Sequence, residues 1–343
     1  MDTAPLPPEF QARLAGLEAF GRTTTRLHPR PGPVTAADSH VGGPLLWPSD
    51  EPWPVCDIPH QELEDVPLPA ELLERLAAAE ARRTQRHVLA DGESALLDEL
   101  ARLVGPGYIG WGTGGDGPAV GHRYASRAHV PPNPLVAVAQ LRAADIPDLP
   151  RPGGADLLQV LWCPFDHPHD GIVGPTLRLR WRREADVRGE PAEPPVGASG
   201  EEEYLPRACR LHPEQVVEYP DPSHLPPDLR AEVASWPEDY GTALLAPGWK
   251  VGGHAAWTTT DPVPTPCPRC SGPTGLLLVI ASAEYDGGTR DRWRPVEERH
   301  IDWAHPDRLT LQEPTGVQVG RWGSLRLFAC LTCPDTPLVL NLQ

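Results

Sequence analysis

The chain has 343 residues, of which 40% are hydrophobic, and it carries a formal net charge of −17 at pH 7. This length predicts two domains or two fused half-domains, and the apolar content is enough for a buried core. The acidic excess disfavours nucleic acid as a partner, because binding to a phosphate backbone depends on clustered cations, whereas a basic client segment would suit the charge. No apolar run reaches the length of a bilayer and no basic-then-apolar signal stands at the N-terminus, so we expect a cytoplasmic protein without a membrane partner.

Helices are predicted where apolar residues recur at helical spacing, and strands where short apolar runs lie between turn residues. A glycine-rich stretch, Gly110 to Gly121, lacks the Gly-Lys-Ser/Thr sequence of a phosphate-binding loop, so we interpret it as a mobile loop. The elements together predict an α+β fold that is rich in β-strand. The predicted helices span residues 9–20, 69–86, 93–103 and 227–236. The predicted strands span residues 135–141, 156–163, 176–183, 215–219, 276–283, 324–331 and 337–342.

The order of short motifs along the chain indicates an internal duplication. Val41-Gly42-Gly43 precedes Trp47 at the same spacing as Val251-Gly252-Gly253 precedes Trp257. In each half a Pro-rich stretch with a cysteine follows, and then two apolar strands, the second of which ends in a cysteine. We therefore predict two pseudo-symmetric β-sheet halves with a helical insertion in the first. The predicted segments are an N-terminal helix (1–30), the first half (31–184, insertion 61–130), a linker (185–203) and the second half (204–343).

Four cysteines of the second half form two C-x₂-C pairs. The pairs are Cys267 with Cys270 and Cys330 with Cys333. Two thiolates at this spacing bind one metal ion from a tight turn, and two such turns complete a tetrahedral site, for which zinc is the usual ion. Each pair lies next to a predicted strand, so neighbouring strands of one sheet would bring the pairs together. We predict a structural zinc ion held in zinc-knuckle turns, and a closed Cys₄ site leaves no position for a substrate.

The repeat predicts a second metal site in the first half, where C-x₃-H pairs stand in place of the C-x₂-C pairs. Two sulfur and two nitrogen ligands are an ordinary set for zinc. The predicted ligands are Cys56, His60, Cys163 and His167. Alternatives stay open: His169 in place of His167, a competing pair of Cys209 and His212, or a decayed site that holds no metal. An open coordination position at this site would make it the place to look for catalysis.

Two glycines each stand four residues before a tryptophan: Gly43 before Trp47 and Gly253 before Trp257. Glycine permits the positive φ of a tight turn, and a structural role is therefore one interpretation. The alternative is functional, with each glycine turn and its tryptophan forming part of a peptide-binding cleft between the two halves.

In the same order along the chain, these motifs resemble the YwqG-like family of bacterial proteins of unknown function. That family is distantly similar to the eukaryotic programmed-cell-death-two proteins, which are chaperones for a ribosomal protein. The resemblance implies a duplicated β-rich fold and a binding role, and His60 departs from it because a second cysteine would be expected there. The matching pieces are Val41-Gly-Gly-Pro44, Trp53-Pro-x-Cys56, Pro134-Leu-x-x-x-Ala-Gln140-Leu, Lys250-x-Gly-Gly253, Cys267-Pro-x-Cys270 and Phe328-x-Cys330-x-x-Cys333.

These features favour a zinc-stabilised module that binds a protein or peptide client of unknown identity. We favour a binding role over an enzymatic one, because the sequence has neither a Gly-x-Ser-x-Gly elbow nor a His-Glu-x-x-His motif. One alternative is a metal-dependent hydrolase or tailoring enzyme that uses the Cys/His site of the first half. Another is an immunity or RNA-processing factor, which rests on association at the level of the family alone.

Overall fold

The computed structural model describes residues 1–14, 16–86, 92–113, 118–126, 133–169, 172–188, 200–236, 240–302 and 304–343. The fold is α+β and rich in strand, as the sequence predicts. The helices are α1 (Pro8–Arg13), α2 (Ala70–Arg86), α3 (Glu93–Val104), α4 (Pro227–Val233), α5 (Tyr240–Leu244), α6 (Arg290–Trp293) and α7 (Arg308–Gln312). The strands are β1 (Arg22–Arg26), β2 (Arg30–Pro31), β3 (His40–Val41), β4 (Val55–Cys56), β5 (Gln61–Pro67), β6 (Tyr108–Thr113), β7 (Ala119–Ser126), β8 (Asn133–Pro134), β9 (Val136–Arg142), β10 (Leu157–Trp162), β11 (His167–His169), β12 (Ile172–Gly174), β13 (Leu177–Arg182), β14 (Cys209–Arg210), β15 (Glu214–Glu218), β16 (Lys250–Gly252), β17 (Gly275–Ala281), β18 (Ser324–Ala329) and β19 (Leu338–Leu342).

The chain divides into two compact units. We call residues 1–56, 133–164 and 168–343 the sheet unit, and residues 57–132 and 165–167 the insertion unit. The insertion unit contains the insertion predicted at residues 61–130, whereas both predicted halves contribute to the sheet unit. Most of the predicted linker, residues 189–199, lies outside the described residues.

The sheet unit is built on two six-stranded antiparallel sheets. Sheet A has the strand order β15-β1-β16-β17-β18-β19, and sheet B has the order β2-β14-β3-β9-β10-β13. In each sheet the third strand carries a Val-Gly-Gly motif, and the next two are the buried apolar strands that the sequence predicts. Strands such as β10, buried at every position, have no polar face to offer solvent, so they lie inside the sheets. One core takes side chains from both sheets, including Val41, Val138, Val160, Leu278 and Leu327.

Each sheet includes a strand from outside the sequence range predicted for it. β1 comes from the segment predicted as an N-terminal helix, yet it lies between β15 and β16 of sheet A. β14 comes from the predicted second half, yet it pairs with β2 and β3 of sheet B. The sheets therefore do not coincide with the ranges 31–184 and 204–343. The helix predicted at residues 9–20 is also shorter, because α1 ends at Arg13 and Gly16 has a φ of 94°.

The insertion unit is a three-stranded sheet covered by two helices. The strand order is β5-β7-β6, and α2 and α3 confirm the helices predicted at 69–86 and 93–103. The prediction of a mobile loop at residues 110–121 is wrong for most of its described part, because residues 110–113 lie in β6 and residues 119–121 lie in β7. Gly121 is needed for packing rather than for mobility, because a Cβ there would lie 2.2 Å from Cγ2 of Val104 on α3. The helices bury Leu72, Leu76, Leu96, Leu100 and Val104.

Lys250 and Glu218 form a buried ion pair in sheet A. Lys250 is the only lysine in the chain, and its Nζ lies 2.8 and 2.7 Å from the two carboxylate oxygens of Glu218. The carbonyl of His254 accepts a further bond from Nζ at 2.8 Å, and the carboxylate also accepts from the N–H groups of Ala246 and His254. Both charges are therefore buried with their hydrogen-bonding capacity used, which is the condition under which such a pair is tolerated.

Removing one member of this pair is expected to destabilise the protein strongly. Lys250→Met leaves a buried carboxylate uncompensated, and we expect the free energy of unfolding to fall by about 3–5 kcal/mol. Glu218→Gln keeps an acceptor for the backbone N–H groups, so the double variant Lys250→Met/Glu218→Gln should lose less stability than the sum of the single variants, by about 1 kcal/mol or more. Urea unfolding measures all three, and additive losses would contradict a buried ion pair.

His254 is expected to make the fold sensitive to acid. Burial lowers the pKa of His254 to about 4, and its Nε2 lies 3.0 Å from the carbonyl oxygen of Phe20. The unfolded chain therefore binds the extra proton first, and stability that is complete above about pH 6.5 is lost as the pH falls towards 4. The slope is at most about 1.4 kcal/mol per pH unit for one proton. Unfolding measured at pH 7 and pH 5 should show a smaller loss for His254→Gln than for wild type, whereas His300→Gln, at an exposed site, should behave as wild type.

Candidate metal centres and ligand cavity

The four cysteines of the second half meet at one end of sheet A. One pair precedes β17 and the other follows β18, and antiparallel pairing places Gly275 opposite Ala329. The Sγ atoms of Cys267 and Cys333 are 4.0 Å apart, and those of Cys270 and Cys330 are 3.9 Å apart. All four sulfurs lie within 4.8 Å of one another. A tetrahedral ion with metal–sulfur bonds of about 2.3 Å has sulfur–sulfur edges of about 3.8 Å, so the spacing fits a bound metal ion.

The turns around these cysteines favour the thiolate form of Cys330 and disfavour the thiolate form of Cys333. Backbone N–H groups of Cys333 and Thr332 lower the pKa of the Cys330 thiol to about 7. The neighbouring thiols, Cys270 first among them, raise the pKa of Cys333 to about 12. Several thiolates so close together repel one another, and a divalent cation reverses this by compensating their charge. The donor set is therefore suited to a metal ion rather than to four free thiols.

The structure also brings together the four ligands predicted in the first half. Cys56 lies in β4, and Cys163 follows β10 with its N–H bonded to the Thr176 carbonyl at 2.9 Å. In the insertion unit the His60 and His167 rings meet edge to face with centroids 4.9 Å apart. One ligand atom from each of these four residues lies within 4.8 Å of the others, and all four residues are buried. This Cys₂His₂ cluster could hold a metal ion.

Of the competing ligands, Cys209 does not enter this cluster. Cys209 is buried elsewhere, where its Sγ lies 3.4 Å from the carbonyl oxygen of Pro314. Burial raises the pKa of the Cys209 thiol to about 12, so it stays protonated. The side chain of His169 lies outside the described residues, and His167 supplies the imidazole.

Trp47 does not offer a surface to a client. Its side chain is fully buried, and its indole N–H donates to the carbonyl of Glu51 at 3.0 Å. The Trp53 ring lies 5.0 Å away, and the guanidinium of Arg182 covers the ring at 4.5 Å. A binding surface in the sheet unit therefore depends on Trp257 without Trp47.

Gly43 and Gly253 are required by the backbone. They have φ angles of 79° and 74°, which residues with side chains rarely adopt. A Cβ at Gly43 would lie 2.5 Å from Cγ2 of Val34, and one at Gly253 would lie 2.0 Å from Oε1 of Glu218. The contacts support the structural interpretation of both glycines.

Trp257 lines a cavity of about 550 Å³ on the outer face of sheet A. Tyr285 and Trp322 supply further aromatic walls, and Arg326 of β18 forms part of the floor. Trp322 is 56% exposed and has a φ of 61°, so a bulky residue stands in the left-handed region at the cavity. Of these four residues, only Trp257 is predicted from the sequence, by its spacing from Gly253. Arg326 carried a signal, since it is the only charged residue in the strand Ser324–Ala329.

Arg326 is held between neutral groups. It is 1% exposed, and its guanidinium stacks on the Trp257 ring at 4.2 Å. Its Nη1 and Nη2 donate to the carbonyl of Ala256 and to Oδ1 of Asn341. Burial lowers the pKa of Arg326 to about 10.

No model of a known protein family matches the chain, and no curated protein matches it either. The resemblance to the YwqG-like family therefore stays a prediction. Among the described residues, no helix has both the length and the apolar character that crossing a membrane requires.

We expect the purified protein to contain two metal ions per chain. Cys267→Ser removes one ligand of the Cys₄ cluster and Cys56→Ser one ligand of the Cys₂His₂ cluster, so each variant should contain about one ion. Cys209→Ser is the matched control, because it replaces a buried cysteine outside both clusters and should keep both ions. Elemental analysis by mass spectrometry gives the counts. A wild-type protein without metal, or a Cys267→Ser variant with an unchanged count, would contradict the assignment.

Proposed function

We propose that the protein is a zinc-stabilised module that binds a protein or peptide client and catalyses no reaction. The observation that carries the proposal is the aromatic cavity at Trp257, which lies on sheet A. Ligand sites are concave, largely apolar and lined by aromatic side chains with a few polar groups, and this cavity has those properties. We place the client at this cavity.

Zinc is the ion that suits both clusters best. Thiolate and imidazole are its usual protein ligands, and each cluster supplies four of them, which closes a tetrahedral site. Structural zinc can contribute on the order of 10 kcal/mol to the folding of a small module. The turns before β17 and after β18 would therefore be ordered by the ion rather than by apolar packing alone.

The burial of the first-half cluster weighs against a metal-dependent hydrolase. Catalytic zinc keeps a coordination position open to water or substrate. Here the exposed fractions are 5% for Cys56, 4% for His60 and 0% for both Cys163 and His167. Four donors are already present and no ligand faces solvent, so we assign this cluster a structural role as well.

We further propose that sheets A and B descend from one duplicated unit. Their strand orders correspond along all six strands, and Val251 pairs with Leu278 as Val41 pairs with Ala139. Cys330 follows β18 as Cys163 follows β10. A duplicated β-rich fold with a binding role is also what the resemblance to the YwqG-like family implies, and the correspondence supports that assignment.

Client capture tests the binding role. The tagged full-length protein should retain a stoichiometric protein client from a native lysate of its source. Trp322→Asn removes an exposed aromatic wall, and capture should fall about tenfold or more, as expected for a tryptophan at the centre of an interface. Asparagine tolerates a positive φ, so this change should not harm the fold.

Leu103→Asn is the control for client capture. It replaces a side chain that is 43% exposed on α3 of the insertion unit, outside the cavity, and should leave capture unchanged. Equal capture by wild type and Trp322→Asn would contradict the placement of the client. Turnover of a small molecule without any captured client would contradict the function.

A further inference from the structure

The outer face of sheet B is filled by its own side chains. Gln140 Nε2 donates to the carbonyls of Ala36 and Asp38 at 2.8 and 3.0 Å, and its Oε1 accepts from the N–H of Leu46 at 2.7 Å. Arg142 Nη2 donates to the same Ala36 carbonyl at 3.1 Å. Two long polar side chains thus hold covering chain segments against the sheet.

The corresponding positions of sheet A carry short side chains. Gln140 and Arg142 of β9 pair with Gln159 and Leu157 of β10. In sheet A, Val279 and Ala281 of β17 pair with Arg326 and Ser324 of β18. Strand order and pairing therefore set Val279 and Ala281 where sheet B has Gln140 and Arg142. All four of these sheet A residues line the cavity of about 550 Å³. The space that Gln140 and Arg142 fill in sheet B therefore stays open at the corresponding place in sheet A.

The open space adjoins a buried cation that has no acidic partner among the described residues. Arg326 donates only to two neutral oxygens, and its Nε is buried without an acceptor in the part of the chain that the structure describes. The indole N–H of Trp257 is also buried without an acceptor there. Lys250, in the same sheet, shows the contrasting arrangement, because Glu218 compensates its charge. A buried donor without an acceptor costs free energy, and a buried charge without a counter-ion costs more.

We propose that this cavity binds a single carboxylate carried on a planar aromatic group. The carboxylate would accept from Arg326 and Trp257, and the aromatic ring would lie among Trp257, Tyr285 and Trp322. Either a free aromatic acid or a client ending in an aromatic residue supplies this chemistry. The second source rests on the proposed function. The net charge of −17 favours a basic client segment at long range, whereas inside the cavity Arg326 has no carboxylate partner among the described residues.

Two acidic residues on the cavity wall limit the ligand to one negative charge. Asp221 accepts hydrogen bonds from the N–H and hydroxyl of Ser223, and Asp286 accepts from Gly288 and Thr289. These bonds hold one oxygen of each carboxylate within its own loop, and neither carboxylate is an ion-pair partner of Arg326 in the part of the chain that the structure describes. They would repel a second acidic group on the ligand.

Titration calorimetry of the full-length protein with four probes tests the proposal. Indole-3-acetate offers the ring with a carboxylate, and tryptamine offers the same ring with an ammonium group. The tripeptide Gly-Gly-Trp and its C-terminal amide make the same comparison for a chain end. We expect at least one of the two acids to bind about tenfold or more tightly than its matched amine or amide, as expected for loss of a charge-assisted hydrogen bond. Tighter binding of the peptide acid identifies a client C-terminus, and tighter binding of indole-3-acetate identifies a free acid.

Two variants connect binding to the cavity. Arg326→Gln removes the cation, and Ala281→Leu fills the space without replacing Arg326 or Trp257. Each of these variants should lower the affinity for the acid about tenfold or more, and Leu103→Asn should leave the affinity unchanged. If Arg326→Gln fails to fold, Ala281→Leu still decides. Equal affinity for acid and amide, no binding of either acid, or unchanged binding by Ala281→Leu would overturn the proposal. Client capture that depends on Trp322, together with failure of both acids, would leave the module function standing and refute only the carboxylate.

Discussion

The convergence of four cysteine sulfurs at one end of sheet A is the constraint on which the rest of the sheet unit depends. The sulfurs are 3.9–4.0 Å apart in two pairs, a spacing that suits a shared cation. Fixing Cys330 fixes the end of β18, which carries Arg326 and Phe328. Both side chains stack on Trp257, with the Phe328 ring 6.4 Å away. A metal ion at this end of sheet A would therefore help to set the wall of the cavity.

Local spacing made the metal clusters predictable from sequence, and pairing between distant strands made the cavity unpredictable. The C-x₂-C and C-x₃-H pairs place ligands within one turn, and the buried strands appear as apolar runs. β5 has the sequence Gln-Glu-Leu-Glu-Asp-Val-Pro, which is not typical of a strand. It is a strand because it pairs with β7, and this pairing is not visible in its own residues. Trp47 is buried beneath Trp53 and Arg182, whereas Trp257 lines a cavity beside Val279 and Ala281, which occupy the positions of Gln140 and Arg142 in sheet B. Only the strand register aligns these positions.

The net charge of the chain and the cations buried in sheet A differ in sign, and the cations differ in how they are compensated. At long range the net charge of −17 describes an acidic protein. Within sheet A, however, the only lysine is neutralised by Glu218, and Arg326 is left with neutral partners. This difference in compensation is the reason for proposing that Arg326, and not Lys250, meets a ligand. The same distinction separates the two tryptophans, since Arg182 above Trp47 pairs with Glu51 at 2.7 Å and Arg326 beside Trp257 has no such carboxylate among the described residues.

X-ray absorption at the zinc edge tests the central claim most directly, because it measures the donor atoms around the ion. Six cysteines and two histidines shared between two ions predict an average of three sulfur and one nitrogen neighbours per zinc. The expected distances are about 2.3 Å to sulfur and about 2.0–2.1 Å to nitrogen. A shell dominated by oxygen or nitrogen, with fewer than two sulfurs per zinc, would contradict the account.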